Sequence, residues 1–135
     1  MTHRLKTYIV EDNETIRENL VATLEELAHA AVIGFSETES AAVAWLGAHD
    51  AEWNLAIVDL FLKQGSGLGV LQASANRANT QKVVVLSNYA TPDIRRRCAE
   101  LGVDAVFDKS NEIEGLIAFC MNHDAALEAL ACAQC

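Results

Sequence analysis

Proline and long hydrophobic runs are scarce in this sequence. Pro92 is the single proline among 135 residues, and no serine- or glycine-rich linker divides the chain. Since a domain has about 100–200 residues, this length predicts one domain. No apolar run approaches the ~20 residues of a membrane-spanning helix, so no bilayer span is predicted. The basic N-terminus leads into a short apolar stretch, Tyr8–Val10, that acidic Glu11 ends, and no secretory signal is predicted.

Cysteine and basic residues are also few. The four cysteines cluster late in the sequence, at Cys98, Cys120, Cys132 and Cys135. This clustering is not a disulfide framework, and we expect a reducing, cytoplasmic setting. Ten Lys and Arg residues against 19 Asp and Glu residues give a net charge of −9. Such a charge argues against nucleic-acid binding and against attachment to an anionic membrane, because both depend on basic residues.

Short apolar runs alternate regularly with helical patterns along the chain. Three of the runs are rich in Val and Ile and are nearly continuous in apolar character, which is typical of strands buried on both faces of a parallel sheet. The predicted strands are Leu5–Val10, Ala31–Phe35, Leu55–Leu60, Lys82–Ser87 and Asp104–Phe107.

Helical patterns separate these strands. Apolar residues recur at steps of three or four after Asn13, a favoured N-cap residue, and Thr91 with Pro92 forms a typical helix start. The predicted helices cover about residues 16–27, 38–48, 67–77, 91–102 and 110 to near the end of the chain. Five successive βα units predict an α/β fold with a parallel sheet, helices on both faces and right-handed crossovers. Ligands of such sheets bind outside the carboxyl ends of the strands.

Polar side chains stand at four of those five strand ends. Glu11 and Asp12 follow the first strand, Asp59 the third, Ser87 the fourth and Lys109 the fifth. Crowded carboxylates repel one another unless a cation intervenes, and oxygen ligands favour Mg²⁺. A lysine and a hydroxyl beside that ion suit a phosphoryl group, so the set predicts Mg²⁺-assisted phosphoryl chemistry with Asp59 as nucleophile. Each residue alone fits a cap, a turn or a surface charge, but capping does not require a lysine after the fifth strand.

Five segments in their order and spacing form a specific combination. They are Tyr8–Asn13, Ala56–Leu60, Gly65–Leu68, Val83–Ser87 and Gly102–Lys109. With them the sequence resembles a response-regulator receiver domain of two-component signalling, over about residues 5–122. The resemblance implies a doubly wound, flavodoxin-like (βα)5 domain with a five-stranded parallel sheet of order 2-1-3-4-5.

The resemblance also implies roles for the acidic residues. Asp59 is expected to accept a phosphoryl group from a sensor histidine kinase or a histidine phosphotransfer protein. Asp12, Asp59 and the backbone carbonyl of Phe61 are expected to hold Mg²⁺, with Glu11 contributing through water. Lys109 is expected to pair with the phosphoryl oxygens and to neutralise charge in the transition state.

Ser87 is expected to turn its hydroxyl onto the phosphoryl group and to draw the following loop with it. The family often uses the face of the fourth helix, fifth strand and fifth helix for targets or dimers, so we expect an unidentified target protein, or a second copy, at that face.

The sequence departs from the common receiver pattern at two informative positions. Glu11 replaces the more frequent Asp and moves the carboxylate one methylene outward. The family often has an aromatic switch residue three positions before the lysine, but Val106 stands there. The neighbouring aromatic, Phe107, is expected to face the opposite side of the sheet, and Tyr89 is the nearest substitute.

Two aromatic residues lie beside the predicted site. Phe61 and Tyr89 are two residues after Asp59 and Ser87, and in the family these positions flank the path of the water that hydrolyses the aspartyl phosphate. Our hypothesis is that the two rings hinder this water and prolong the phosphorylated state. The alternative is that both rings simply pack the loops.

The domain prediction assigns residues 1–122 to the receiver and 123–135 to an extension of the last helix or a tail. His123 is expected at the surface. No output domain is expected, so the chain is interpreted as a single-domain response regulator that is not an enzyme beyond its own phosphorylation and dephosphorylation. A phosphatase related to the haloacid dehalogenases is disfavoured, since Phe61 stands where those enzymes carry their general-acid Asp. A phosphorylation-independent docking module is the remaining alternative.

Overall fold

The fold is an alternating α/β arrangement of five strands and five helices. The computed structural model describes residues 4–133. The elements are β1 (Leu5–Val10), α1 (Glu14–Leu27), β2 (Ala30–Ser36), α2 (Glu39–Ala48), β3 (Leu55–Val58), α3 (Gly67–Ala73), β4 (Lys82–Ser87), α4 (Pro92–Glu100), β5 (Ala105–Asp108) and α5 (Ile113–Ala133). All strand pairs are parallel, in the order β2-β1-β3-β4-β5. The predicted doubly wound, flavodoxin-like sheet is confirmed.

Strands β1, β3 and β4 are buried on both faces, which accounts for their nearly continuous apolar character. Successive side chains of a strand point to opposite faces, and each face therefore supplies its own core. One core contains strand residues Tyr8, Val10, Ala56, Val58, Val83 and Val85. The other contains strand residues Leu5, Ile9, Leu55, Ile57, Val84 and Leu86.

The predicted helix starts coincide with side-chain caps. The side chain of Asn13 accepts the backbone N–H of Ile16 at 2.9 Å, and Thr91 accepts that of Ile94 at 3.2 Å. Pro92 occupies the first turn of α4, where its missing N–H costs no helical hydrogen bond. These caps set the directions in which α1 and α4 leave the carboxyl edge of the sheet.

Several element ends differ from the sequence prediction, among them those of β3 and α3. β3 ends at Val58, so Asp59 begins the loop after the strand. α3 ends at Ala73 instead of near Arg77. The Arg77 guanidinium binds the carbonyls of Ser74 and Gly102 at 3.0 and 2.7 Å, and these contacts hold the segment after α3 in a non-helical path.

Gly67 fixes the close packing of the loop after β3. A Cβ atom at this position would lie 2.2 Å from the carbonyl oxygen of Asp59, so only glycine fits. The Gly67 N–H donates to the carbonyl of Leu60 at 3.0 Å. Ser66 caps α3 through the N–H of Leu68 at 3.1 Å. The glycine-rich segment therefore forms a turn and helix start packed against the end of β3.

α5 is the longest of the described helices and runs along the core that contains Leu5 and Ile9. Leu116 and Cys120 are fully buried, and His123 is only 7% exposed. The prediction that His123 lies at the surface is wrong, because its Nε2 lies 3.0 Å from the carbonyl oxygen of Asn54 and 3.1 Å from that of Thr80. No helix within residues 4–133 has the length and apolar character needed to cross a membrane.

Candidate functional site

The predicted acidic residues meet at the carboxyl edge of the sheet. β1 and β3 are neighbours, and the Asp59 N–H donates to the carbonyl of Val10 at 3.0 Å, which sets the ends of these strands side by side. One carboxylate oxygen from each of Glu11, Asp12 and Asp59 lies within 4.8 Å of the others. These residues line an open cleft of ≈ 250 Å³ together with Phe61, Asn88, Tyr89 and Lys109.

Lys109 binds two of the three carboxylates. Its Nζ lies 2.9 Å from Asp59 Oδ2 and also forms a short hydrogen bond with Glu11 Oε1. Glu11 is 3% exposed and Asp59 is 7% exposed. The lysine therefore supplies the positive charge that two buried, neighbouring carboxylates need.

Burial and charge pull the pKa values of this group in opposite directions. Burial raises the pKa of Glu11, while the hydrogen bond and charge of Lys109 partly offset the rise. Burial also lowers the pKa of Lys109, but the hydrogen bonds and charges of Glu11 and Asp59 outweigh it, and the net shift is upward. Lys109 therefore remains a cation at neutral pH, available to an anionic phosphoryl group.

The remaining predicted ligands are held by backbone contacts between loops. Asp12 Oδ2 accepts the N–H of Lys63 at 2.6 Å, which ties the loop after β1 to the loop after β3. The N–H of Phe61 donates to Asp59 Oδ1 at 3.2 Å. The Phe61 carbonyl as a metal ligand remains a prediction.

Ser87 is fully buried at the end of β4. Its Oγ accepts the N–H of Tyr89 at 3.1 Å, and its carbonyl accepts the N–H of Lys109 at 2.9 Å. This backbone hydrogen bond joins the end of β4 to the residue that follows β5, Lys109. Asn88 and Tyr89, the residues that follow Ser87, line the cleft.

Aromatic residues near the site lie largely as the sequence predicted. Val106 packs against the core that contains Tyr8, whereas Phe107 packs against the opposite core, so their predicted opposite orientation is confirmed. Phe61 and Tyr89 contact each other edge to face, with ring centroids 5.1 Å apart. They are 52% and 61% exposed and cover one side of the cleft.

Arg17 is a supporting residue that the sequence analysis missed. Its guanidinium donates to the carbonyl of Glu11 at 3.0 Å and lies 4.0 Å from the centre of the Phe35 ring. Arg17 is 7% exposed, and it holds the loop that carries Glu11 and Asp12. Its spacing of three from Leu20, on the inward stripe of α1, is the signal that could have identified it.

The donor set fits a hard divalent cation. Three carboxylates gathered within one cleft are the ligand type that Mg²⁺ and Ca²⁺ take in proteins, and the open side leaves room for water or phosphoryl oxygens. The fold and this acidic cluster together define a flavodoxin-like α/β domain with a cation-binding edge.

The chain belongs to the response-regulator receiver domain family. The family model matches residues 7–120, which include every residue of the acidic cluster and Lys109. Members of this family act as phosphoacceptor domains in two-component signalling, and they bind Mg²⁺ through acidic residues of this kind. No curated protein matches the sequence.

Solved receiver structures share the fold at low sequence identity. The signal receiver domain of the response regulator NarL from Mycobacterium tuberculosis is 19% identical, with 98% of each chain covered and a TM-score of 0.73. A response regulator from Burkholderia pseudomallei, with a phosphorylated aspartic acid, calcium ion and citrate, is 21% identical; 96% of this chain and 74% of that chain are covered, with a TM-score of 0.74.

A third similar structure is also a response regulator domain. The response regulator domain of Thermotoga maritima CheB is 16% identical, with 89% of this chain and 98% of that chain covered and a TM-score of 0.73. At these identities the likeness establishes the receiver fold.

Proposed function

We propose that this protein is a response regulator that accepts a phosphoryl group on Asp59 and thereby changes its contacts with other proteins. The donor is a phosphohistidine of a sensor histidine kinase or a histidine phosphotransfer protein, in the cytoplasm. The observation that carries the proposal is the position of Asp59. Its carboxylate lies in an open cleft, 2.9 Å from the Lys109 ammonium and beside the carboxylates of Glu11 and Asp12.

In the proposed reaction an Asp59 carboxylate oxygen attacks the phosphorus atom. The P–N bond to the donor imidazole breaks, the imidazole takes the bonding electron pair and a proton, and an acyl phosphate forms on Asp59. Glu11, Asp12, Asp59 and the Phe61 carbonyl are the proposed Mg²⁺ ligands. The chemistry that Mg²⁺ supplies when bound is neutralisation of the charge on the phosphoryl oxygens.

Lys109 and Ser87 have proposed roles around the transferred group. The Lys109 ammonium stabilises negative charge that develops on the phosphoryl oxygens in the transition state. The Ser87 hydroxyl donates a hydrogen bond to a phosphoryl oxygen once the group is in place. Water attack on the acyl phosphate later releases inorganic phosphate and restores the Asp59 carboxylate.

We assign residues 1–122 to the receiver and 123–135 to an extension of its last helix or a tail. The proposed target surface is formed by α4, β5 and α5. A phosphatase that turns over external esters is disfavoured, since Phe61 lies at the entrance of the cleft and has no proton to donate to a leaving group.

The proposal is tested by intact-mass spectrometry after incubation with acetyl phosphate, with and without Mg²⁺. We expect one phosphoryl adduct on the wild type that requires Mg²⁺. Asp59→Asn removes the nucleophile and is expected to abolish the adduct. Asp93→Asn removes an exposed carboxylate of α4 and is the matched control, expected to be phosphorylated like the wild type.

Two results would contradict the proposal. An adduct that persists in Asp59→Asn would assign the chemistry to another residue. A folded wild type that accepts no phosphoryl group from acetyl phosphate or from any histidine-kinase donor would favour the docking module.

A further inference from the structure

Arg95 joins two loops of the phosphorylation site through one side chain. It lies in the first turns of α4, and its Nε donates to the carbonyl of Ala90 at 3.1 Å. Its Nη1 donates to the carbonyl of Val106 in β5 at 3.0 Å. Its Nη2 lies 2.5 Å from Glu112 Oε1. A planar guanidinium can serve three acceptors at once because its N–H donors have a fixed geometry.

Glu112 extends this connection to the segment that carries Lys109. The same Oε1 that binds Arg95 also accepts the N–H of Asp108 at 2.9 Å. The hydrogen bond from Arg95 lowers the pKa of Glu112, so this carboxylate remains ionised at neutral pH. Arg95 and Glu112 therefore fasten the loop after β4, which follows Ser87, to the end of β5.

Under the proposed function, entry of a phosphoryl group changes the contacts of Lys109 and Ser87. Lys109 Nζ now binds Asp59 Oδ2, one of the two oxygens available for attack. Ser87 is fully buried, with its Oγ accepting the Tyr89 N–H, while the cleft is lined by the residues after it. For Lys109 and Ser87 to bind phosphoryl oxygens, Lys109 must leave that oxygen and the Ser87 hydroxyl must turn into the cleft.

Such a movement strains the Arg95 contacts. Ala90 belongs to the loop after Ser87, which under the proposed function moves with the Ser87 hydroxyl, whereas Val106 is held in the sheet by its pairing with Val85. A shift of the loop relative to β5 therefore breaks at least one of the hydrogen bonds made by Arg95.

We propose that Arg95 and Glu112 form a latch that holds the unphosphorylated arrangement of the loops after β4 and β5 and opens when the site is phosphorylated. The latch deepens the proposed function and rests on it. It acts near the position where Val106 replaces the aromatic ring expected from the family pattern. Removal of a contact made only in one state shifts the population toward the other state.

The test measures the affinity of the full chain for beryllofluoride, a phosphoryl mimic, in the presence of Mg²⁺. We expect Arg95→Gln to bind it about three- to tenfold more tightly than the wild type, since the bonds that oppose loop movement are lost. Glu112→Gln keeps an oxygen for the Asp108 N–H but loses the ion pair, and a smaller gain is expected. The double variant is expected to gain no more than Arg95→Gln, because the two residues form one unit.

Two arginines provide matched controls. Arg96→Gln removes the same charge from the same helix, but Arg96 pairs only with Asp93 among the contacts resolved for it. Arg77→Gln removes a guanidinium that also binds backbone carbonyls and a carboxylate, yet lies beside Ser74 and Gly102, away from the cleft. Both controls are expected to bind beryllofluoride like the wild type.

A second measurement needs no ligand. Amide hydrogen exchange of the unloaded protein is expected to be faster at residues 88–91 and 108–112 in Arg95→Gln than in Arg96→Gln, because opening of a loop sets its exchange rate. If the wild type binds beryllofluoride and Arg95→Gln binds it equally or more weakly, the latch is wrong while the proposed function stands. If the folded wild type does not bind it and is not phosphorylated, both are wrong.

Discussion

At the scale of single residues, Glu11 shows how one added methylene changes a site. Its carboxylate is 3% exposed, accepts the N–H of Asn13 at 3.2 Å and binds Lys109 directly. The longer side chain thus reaches the lysine that also binds Asp59. Glu11 therefore contributes to the position of Lys109 as well as to the acidic cluster.

The Phe61 and Tyr89 rings permit a prediction about the lifetime of the phosphorylated state. The ring centroids are 5.1 Å apart and both rings line the cleft, so they limit the approach of water to Asp59. We expect Phe61→Ala and Tyr89→Ala to lose the phosphoryl group about two- to tenfold faster than the wild type, which corresponds to a barrier lowered by about 0.4–1.4 kcal/mol. The measurement is the decay of the phosphorylated mass after the donor is removed.

Leu27→Ala serves as the control for that experiment. Leu27 is 56% exposed at the end of α1 and does not line the cleft, so its loss is expected to leave the decay unchanged. Equal or slower decay in both ring variants would mean that the rings only pack the loops.

At the scale of elements, α5 is fixed to the sheet beyond the boundary predicted at residue 122. His123 bridges the carbonyls of Asn54 and Thr80, which precede β3 and β4. The next residue, Asp124, is 8% exposed. Its Oδ2 lies 3.3 Å from Nδ1 of His29, a residue of the turn between α1 and β2. The second half of α5 is therefore held by polar contacts at the amino end of the sheet.

His123→Ala is expected to reduce the free energy of unfolding by about 1–3 kcal/mol, because the Thr80 carbonyl loses its imidazole partner and the Asn54 carbonyl keeps only the N–H of Lys82. The measurement is urea-induced unfolding. Met121→Ala, in the same helix but at a 54% exposed position, is the control and is expected to change the free energy by less than about 0.5 kcal/mol. A loss that is no larger in His123→Ala than in this control would show that water replaces the imidazole.

The helices and strands could be predicted well because the patterns that specify them involve residues close together in the sequence. The alternation that buries both faces of β1, β3 and β4, and the caps Asn13 and Thr91, act within a few residues of one another. The strand-end rule then gathers distant carboxylates without any knowledge of side-chain packing. This explains why the acidic cluster could be predicted from the sequence.

Contacts that cross the fold are not visible in the same way. Arg17, Arg95 and His123 bind backbone carbonyls, and every residue offers a carbonyl regardless of its type. No pairing of residue types therefore marks these partners in the sequence. The same reason explains why His123 was expected at the surface.

At the scale of the whole molecule, one sheet separates two apolar cores, one on each of its faces. Cys98 lies in the core beneath α4, and Cys120 lies in the core beneath α5. Both thiols are fully buried and free, whereas Cys132 is free and exposed. The three thiols therefore report separately on the two faces and on the end of α5.

Burial determines how these thiols react. It raises the pKa of Cys98, and it raises the pKa of Cys120 to about 12, so both remain protonated at pH 8. Because the thiolate is the reactive form, both thiols are protected in two ways: they stay protonated, and burial keeps the reagent away from them. The pKa of Cys120 is higher in the folded chain than in the unfolded chain. Burial of the protonated Cys120 thiol therefore contributes its full stability below about pH 9, and this stability is lost as the pH rises toward 12.

We expect a thiol reagent at pH 8 to label Cys132 at least about a hundredfold faster than Cys98 and Cys120 in the native protein, since the buried thiols react only after opening. The test uses a Cys135→Ser variant and follows each site by peptide mass spectrometry, with the protein unfolded in guanidinium as the control in which all thiols react alike. Because both cores share one sheet, Cys98 and Cys120 are expected to become reactive together as urea is added. Labelling of Cys120 well before Cys98 would instead mean that α5 opens alone, and that the two faces of the sheet are not one cooperative unit.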